Sequence, residues 1–309
     1  KEYKKIVTKI SIMSIVVKTY GGLGNQLFQY AFGRAVSSRL KTDFLLDVDL
    51  TPIYAHLKIH PYALGYFNTK VKETKNSDMF GFVWLRRRKK IFNFIYRHMR
   101  LRRKLLPFYY PEKTFAYDSD VFLQKDNTYF DGFWQTGKYF ESIRDEILKE
   151  ITLVSPLSIY SQSIEREIKN ENAVSIHVLR GFYVSDPTSS AFHGICSKEY
   201  YEEAIAYIAK NVFNPHFFIF SDDYAWAVDN FKTLKYPYTC IDNPEEKGHE
   251  DMMLMSKCKH HVIANSSFSW WGSWLNPKKD KIVIAPKKWF TNAPKNDTKD
   301  ILPDTYIKM

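Results

Sequence analysis

Three glycines that follow an apolar run near the start of the chain suggest a binding turn. Gly21, Gly22 and Gly24 come after residues 15–17, which are Ile-Val-Val, and Asn25 follows them at the start of a helix-like segment. A strand that turns through glycines into a helix brings backbone N–H groups close to a bound ligand. We therefore predict ligand binding at Gly22, Gly24 and Asn25, although a tight connection between a strand and a helix gives the same pattern.

A second candidate site follows the apolar run at residues 173–178. His177 lies within this run and Arg180 comes just after it. The guanidinium group of an arginine stays charged and matches two phosphate oxygens at once, which favours phosphate binding by Arg180. His177 can add a hydrogen bond, although a histidine in an apolar strand is more often a core residue. We predict that both residues bind the ligand and take part in the reaction.

Two further apolar runs also end in polar residues. The residues that we predict to bind ligand there are Asp222, Asp223, Asn265, Ser266 and Ser267. An aspartate at a strand end can accept two N–H donors from a ligand such as a nucleobase, and the start of a helix offers hydroxyl and N–H groups to phosphate. The alternative is that Ser221 and Asp222 cap a helix that starts near Tyr224.

Short strand-like runs alternate with helix-like segments along the chain. Strands are predicted at residues 14–18, 44–48, 173–178, 217–220, 261–264 and 282–285, and helices at 29–39, 138–151, 198–211 and 224–231. This alternation indicates βα units and parallel sheets. In such sheets ligands bind at the carboxyl ends of the strands, which is where the candidate residues lie.

The chain is long enough for two domains of ordinary size, since it has 309 residues. The pattern of strands and helices restarts after Ser155 and Pro156. We therefore predict one Rossmann-like domain at residues 13–155 and another at residues 156–309. The expected architecture is an α/β fold with the two domains facing a cleft.

Four segments resemble the signatures of α-1,2-fucosyltransferases of the bacterial and animal blood-group type, glycosyltransferase family eleven. They are residues 21–26, 177–183, 218–226 and 252–275, and the last matches almost throughout. The resemblance spans residues 13 to about 289. Methionines and tryptophans in the last segment have helical spacing and are predicted to be core residues, with Trp270 as the candidate for stacking on a sugar.

The resemblance implies a GT-B fold and a defined reaction. The second domain would hold GDP-β-L-fucose through Arg180, and the first would contribute much of the acceptor side. L-Fucose would be transferred with inversion to the 2-hydroxyl of a terminal β-galactoside, forming an α-1,2 linkage. No metal or other cofactor is expected.

The sequence departs at two positions from the family motif His-x-Arg-Arg-Gly-Asp-Tyr. Leu179 stands in place of its first arginine and Phe182 in place of its aspartate. Strand alternation puts His177 and Leu179 on one face and Arg180 on the other. One interpretation is a GDP-sugar-binding homologue with impaired catalysis, because losing a charge-stabilising donor raises the barrier by about 2.7–4 kcal/mol. The other is an apolar contact between Leu179 and Phe182 that leaves Arg180 to hold the phosphates.

The general base has several candidates. Asp186 and His193 lie in the loop after Arg180, and Glu250 and Asp251 form an acidic pair further along. Of these we predict Asp186 as the catalytic residue. Each of them is also a plausible loop or capping residue.

A metal-dependent GT-A transferase is the rival enzyme class. Asp47 and Asp49 end an apolar run, and carboxylates at such a position can bind a divalent cation. An acidic pair at the end of a strand is, however, more often part of a turn.

The formal charge of +11 is concentrated between Arg86 and Lys104, where basic residues alternate with aromatic and aliphatic ones. Such a segment can contact an anionic membrane that carries a lipid-linked acceptor, or pack on its own domain as a solvated helix. A nucleic-acid binder is the least favoured reading. No apolar run approaches the roughly 20 residues of a membrane span, and the three cysteines lack zinc spacing. We expect a cytoplasmic protein with peripheral contact at the inner membrane face.

Overall fold

The computed structural model describes residues 14–48, 61–74, 108–180, 194–291 and 297–309. These residues divide into two compact units. The N-terminal unit comprises the described residues of Lys1–Leu64 and Thr69–Glu150, and the C-terminal unit those of Gly65–Asn68 and Ile151–Met309. The predicted limit between residues 155 and 156 lies shortly after the end of the N-terminal unit.

Five parallel strands form the sheet in the described part of the N-terminal unit. They are β1 (Ser14–Lys18), β2 (Asp43–Asp47), β3 (Lys72–Thr74), β4 (Tyr109–Pro111) and β5 (Tyr129–Asp131), in the spatial order β3-β2-β1-β5-β4. Strand β1 pairs with β2 in the register Val16↔Leu45 and with β5 in the register Val17↔Phe130. Every residue of β1 is buried, as its β-branched centre favours.

Helix α1 (Leu23–Leu40) connects β1 to β2, and α2 (Arg144–Glu150) is the last helix of the unit. Helix α1 begins directly after the glycine turn and ends at Lys41, whose left-handed backbone (φ 55°) stops it. The crossover through α1 leaves β5 on the other side of β1. The carboxyl end of β1 is therefore a switch point, where parallel sheets open a crevice.

Six parallel strands form the sheet in the described part of the C-terminal unit. They are β6 (Asn172–Val178), β7 (Pro215–Ser221), β8 (Tyr238–Cys240), β9 (His260–Val262), β10 (Val283–Ala285) and β11 (Ile307–Lys308), in the order β11-β10-β9-β6-β7-β8. Strands β6 and β7 pair from Asn172↔Pro215 to Val178↔Ser221, and β9 pairs with the other side of β6. The end of β6 is thus a second switch point.

Helices cover both faces of this second sheet. They are α3 (Ile159–Asn170), α4 (Lys198–Asn211), α5 (Tyr224–Phe231), α6 (Gly248–Lys257) and α7 (Ser267–Trp274). Helices α4 and α5 pack on one face with Ile176 and Val178. Helices α3 and α6 pack on the other with Ala173 and Phe218. Of the helices that the structure describes, none is long and apolar enough to cross a bilayer.

The short segment Gly65–Asn68 belongs to the C-terminal unit, although the chain on either side of it belongs to the N-terminal unit. The ring of Tyr66 stacks on His249 with 3.8 Å between centroids. The backbone N–H of Asn68 donates to the carbonyl oxygen of Thr152 at 2.9 Å. These contacts tie the segment to helix α6 and to the first residues after α2.

The predicted parallel α/β pattern is confirmed in both units. Helices form over 198–211 and 224–231 with the predicted bounds. The helix predicted over 138–151 differs, because two short 3-10 turns, Gly137–Tyr139 and Glu141–Ile143, precede α2. Phe140 between them is fully buried and has a non-helical backbone (φ −124°, ψ 10°), so burial of its ring overrides helix continuity.

Candidate functional site

The carboxyl end of β6 carries His177 and Arg180 on opposite faces of the sheet. The His177 ring lies 5.3 Å from the ring of Phe268, at the start of α7. The Arg180 guanidinium lies over Trp226 of α5, 4.2 Å from the ring centroid. The alternation predicted from the sequence is thus confirmed through Arg180, so this arginine does not take the direction that position 179 has.

Arg180 is fixed at two points, and its side chain keeps an unused donor. Its backbone N–H donates to Oδ1 of Asp222 at 2.7 Å. Its guanidinium stacks on Trp226, while its buried Nε has no hydrogen-bond partner in the described part of the chain. A buried donor without a partner is rare in folded proteins and points to a missing acceptor. A phosphate oxygen has the charge and geometry that this group requires.

His177 is a buried neutral imidazole. Burial lowers its pKa to about 4, and the nearby Asp222 carboxylate opposes this effect. The carbonyl oxygen of His177 accepts a hydrogen bond from the Tyr201 hydroxyl at 3.0 Å. Its Nδ1 is buried and has no partner among the described residues. A neutral imidazole can donate or accept one hydrogen bond here, but it brings no charge at pH 7.

The two aspartates after β7 have different surroundings. Asp223 caps helix α5, because its Oδ1 accepts from the N–H of Trp226 at 3.1 Å. Ser221 supports this turn by accepting from the N–H of Asp223 at 3.0 Å. The alternative prediction, in which Ser221 and Asp222 cap the helix, is therefore wrong, because the capping residue is Asp223. Asp222 is exposed and holds the Arg180 backbone, which leaves it the more accessible carboxylate of the two.

The turn after β9 is tied down by its own side chains. Ser266 caps α7 by accepting from the N–H of Phe268 at 3.2 Å, and Ser267 is the first residue of that helix. Asn265 donates to the carbonyl oxygens of Gly194 and Trp289, each at 3.3 Å. These bonds give Asn265 a role in holding three segments together. The predicted ligand contacts of Asn265, Ser266 and Ser267 stay predictions.

Trp270 is a core residue and not a platform for a sugar ring. It is fully buried, and its Nε1 donates to the carbonyl oxygen of Ile301 at 2.8 Å. Its ring stacks on that of Trp274 with 5.9 Å between centroids. The helical spacing of the tryptophans therefore reflects packing alone.

The glycine turn forms the N-terminal end of α1 as predicted. Gly22 precedes the helix, and its carbonyl oxygen accepts from the N–H groups of Asn25 and Gln26 at 2.9 and 3.1 Å. Gly21 has the left-handed φ of 81°, which favours glycine. The Asn25 Oδ1 accepts from Nε2 of Gln135 at 2.7 Å. Neither Gln135 nor Trp226 was identified as functional from sequence patterns.

The remaining candidate bases are either engaged or outside the described residues. Asp186 and His193 lie outside the described residues. Burial opposes ionisation of Glu250, but hydrogen bonds led by that from Ser158 lower its pKa to about 2. Burial raises the pKa of Asp251 to about 7, although Asn243 donates to this carboxyl at 2.6 Å.

Three predictions depend on residues that the structure does not describe: the metal site, the membrane contact and the contact between Leu179 and Phe182. Phe182, Asp49 and the segment from Arg86 to Lys104 lie outside the described ranges. Asp47 is buried and accepts from the Tyr129 hydroxyl at 2.6 Å. Within the described ranges, no group of three or more His, Cys, Asp or Glu side chains could hold a metal ion.

Comparison with known proteins identifies close relatives over nearly the whole chain. Residues 112–306 match the family model described as Glycosyl transferase family 11. The O-antigen biosynthesis glycosyltransferase WbnK of Escherichia coli is 33% identical, covering 94% of this chain and 98% of its own length. An alpha-1,2-colitosyltransferase of Escherichia coli is 34% identical, covering 96% and 99%. Galactoside alpha-(1,2)-fucosyltransferase 2 of Rattus norvegicus is 24% identical, covering 47% and 43%.

Solved structures of fucosyltransferases have a similar fold. The α-1,6-fucosyltransferase NodZ, soaked with GDP-fucose, has a TM-score of 0.50 at 14% identity, covering 86% of this chain and 93% of that one. A mutant of Arabidopsis thaliana FUT1 in complex with GDP has a TM-score of 0.52 at 12% identity, covering 95% and 77%. At these identities the likeness shows a shared α/β fold with parallel sheets.

Proposed function

Because the chain belongs to glycosyltransferase family 11, we propose that it transfers L-fucose from GDP-β-L-fucose to the 2-hydroxyl of a terminal β-galactoside. The product has an α-1,2 linkage, and the anomeric centre is inverted. The C-terminal unit binds the donor and the N-terminal unit contributes to acceptor binding, which is the division of labour in the GT-B arrangement.

The observation that carries the proposal is the pair of unpartnered nitrogens at the end of β6. The Nε of Arg180 and the Nδ1 of His177 are both buried and both lack a partner among the described residues. They lie at a switch point of a parallel sheet, where nucleotide ligands bind in such folds. A diphosphate would satisfy the arginine, and a ligand hydroxyl or phosphate oxygen would satisfy the histidine.

In the proposed reaction the galactoside 2-oxygen forms a bond to C1 of fucose, and the bond between C1 and the phosphate oxygen breaks. The electron pair of that bond leaves with GDP, and the hydroxyl proton passes to a base, for which we propose Asp186. Arg180 stabilises the charge that develops on the departing diphosphate. His177, being neutral, orients the donor through a hydrogen bond.

A second donor is supported by one comparison. The Escherichia coli relative named alpha-1,2-colitosyltransferase is 34% identical over nearly the whole chain. Colitose differs from L-fucose only in lacking the 3-hydroxyl group. GDP-colitose is therefore the alternative donor for the same reaction and the same linkage.

Incubation of the protein with GDP-fucose or GDP-colitose and a panel of β-galactosides tests the proposal. We expect transfer from one donor to a terminal β-galactoside, with the new linkage assigned to the galactose 2-position by NMR. Binding of GDP without transfer from either donor would favour the impaired homologue suggested by Leu179 and Phe182. A product linked at another hydroxyl would overturn the α-1,2 assignment.

Two further parts of the proposal concern metal and membrane. Transfer is proposed to need no metal, so the rate in excess chelator should equal the rate in added Mg²⁺ or Mn²⁺. A lipid-linked glycan is proposed as the acceptor, reached through contact of the segment from Arg86 to Lys104 with an anionic surface. Cosedimentation with vesicles containing phosphatidylglycerol, but not with neutral vesicles, would support that contact.

A further inference from the structure

Asn25 and Gln135 form an amide pair beside the switch point of the N-terminal sheet. Asn25 lies in the first turn of α1, and Gln135 follows the end of β5. The Gln135 Nε2 donates to the Asn25 Oδ1 at 2.7 Å. Gln135 is only 7% exposed, whereas Asn25 is half-buried. The glutamine thus lies beneath the asparagine and supports it from the protein side.

The position of the Asn25 amide is also set by Gly21. A Cβ atom at position 21 would lie 2.6 Å from the Asn25 Nδ2, so this amide rests against the bare backbone of the glycine. With Oδ1 bound to Gln135 and Nδ2 against Gly21, the amide plane has one orientation. Neither contact can be predicted from the helical or strand spacing of the sequence.

Two polar atoms of the pair are left over. Within the described residues, Nδ2 of Asn25 donates to no acceptor, and the buried Oε1 of Gln135 accepts from no donor. Buried polar groups are nearly always paired, so an unpaired atom marks a place where another requirement outweighs satisfaction. The Gln135 amide donates to Asn25, and its own acceptor oxygen receives no hydrogen bond from the described residues. This arrangement keeps the N–H groups of Asn25 directed away from Gln135.

The surrounding side chains suit a carbohydrate. The rings of Tyr20 and Phe133 meet edge to face with 4.8 Å between centroids. The Lys18 ammonium group lies 4.4 Å from the centre of the Tyr20 ring and 3.5 Å from the Asp131 carboxylate. Aromatic faces next to amide and charged groups are the usual lining of a site for a hydroxylated ligand.

We propose that Gln135 is a positioning residue, which holds the Asn25 amide so that its Nδ2 donates to a substrate oxygen during sugar transfer. The inference rests on the proposed function and adds to it a residue outside the family motifs. The oxygen belongs either to the acceptor sugar or to the activated donor. Both are hydrogen-bond acceptors of the same kind, and kinetics with each substrate varied in turn distinguishes them.

A double-mutant cycle tests the proposal. The variants are Gln135→Met, Asn25→Ala and the combination. Gln124→Met is the control, because the Gln124 side chain donates to the carbonyl oxygen of Asp120 at 2.8 Å. We expect kcat to fall about tenfold in Gln135→Met and about a hundredfold in Asn25→Ala, with the melting temperature close to that of the wild type. The combined variant should be no slower than Asn25→Ala, because Gln135 acts only through Asn25.

Gln135→Glu gives a second, nearly isosteric test. A carboxylate cannot donate a hydrogen bond, so the Asn25 amide would have to turn until its Nδ2 donates to the carboxylate at position 135. We expect this variant to lose as much kcat as Asn25→Ala, and it carries the test if Gln135→Met does not fold. A raised KM for the galactoside alone identifies an acceptor oxygen, and a raised KM for the GDP-sugar alone a donor oxygen.

Two results would overturn the inference alone. One is a combined variant in which the two losses multiply, and the other is wild-type kcat in both Gln135→Met and Gln135→Glu. A wild-type protein that transfers no sugar from any donor would instead contradict the proposed function, and the inference would fall with it.

Discussion

The guanidinium of Arg180 lies over the indole of Trp226, 4.2 Å from the ring centroid. This contact holds the arginine on the α5 face of the sheet, while its backbone N–H is bound by Asp222. The family motif has an arginine at position 179, on the opposite face, where this chain has Leu179. An aromatic support for Arg180 is thus a feature that the motif comparison alone does not reveal.

Replacing Arg180 is expected to weaken donor binding. Arg180→Ala removes charge-assisted hydrogen bonds worth about 1.5–3 kcal/mol, so the Kd for GDP should rise about 10- to 100-fold. Arg180→Lys keeps the charge but loses the planar fork and should lie in between. Titration calorimetry with GDP measures both. Arg166→Ala, an exposed arginine on α3, is the control and should bind as the wild type does. Unchanged affinity in Arg180→Ala would exclude the phosphate role.

Removing the aromatic support should have a smaller effect of the same kind. A cation–π contact is worth about 0.5–2 kcal/mol, so Trp226→Leu should raise the Kd for GDP by roughly 2- to 30-fold. Trp226→Phe keeps an aromatic face and should recover most of the affinity. In the Arg180→Ala background, Trp226→Leu should add nothing further. A loss of equal size in both backgrounds would show that Trp226 acts through packing instead.

The long strands and their polar ends could be predicted from the sequence. Strands β1, β6 and β7 have five to seven residues each and are rich in β-branched or aromatic side chains, and the candidate residues lie at their ends or just after them. Strands β4 and β5 have only three residues each, too few to show a period of two. Gln135 follows β5, so it had no predicted strand end to mark it.

Side-chain partners were harder to predict than positions. The spacing of His177 and Arg180 places them on opposite faces of a strand, and this was confirmed. The packing of Trp226 on Arg180 depends on where α5 lies against β6, which is a tertiary contact. For the same reason Asp222 and Asp223 looked equivalent in the sequence, and only the turn geometry separates the cap from the exposed carboxylate.

The buried His177 is expected to make stability depend on pH. Its pKa is lowered from 6.5 to about 4 in the folded protein, so the unfolded chain binds the extra proton first. The folded state therefore keeps its full stability with respect to His177 above pH 6.5, and the free energy of unfolding decreases as the pH falls toward 4. The free energy of unfolding, measured with urea at pH 7 and at pH 5, should therefore differ less between the two pH values in His177→Gln than in the wild type. Equal differences would mean that His177 is not buried as a neutral group.

The glycine turn should tolerate no side chain at position 21. Gly21→Ala forces a left-handed residue with a Cβ, which destabilises by roughly 1–2 kcal/mol, and it pushes against the Asn25 amide. We expect a lower melting temperature and a further loss of kcat. Gly65→Ala is the matched control, since a Cβ there meets no atom within 4 Å. Wild-type activity and stability in Gly21→Ala would contradict the close approach of Asn25.

The segment Gly65–Asn68 decides how this protein can be dissected. A fragment that starts at Ile151 would lack these four residues, which belong to its own unit but come earlier in the chain. The carbonyl of Thr152 would lose its donor, and the imidazole of His249 would lose the phenol ring that covers it. Severing the backbone once after Glu150 therefore yields an incomplete C-terminal unit, which can be made whole only by returning the missing tetrapeptide through a linker or as a synthetic peptide.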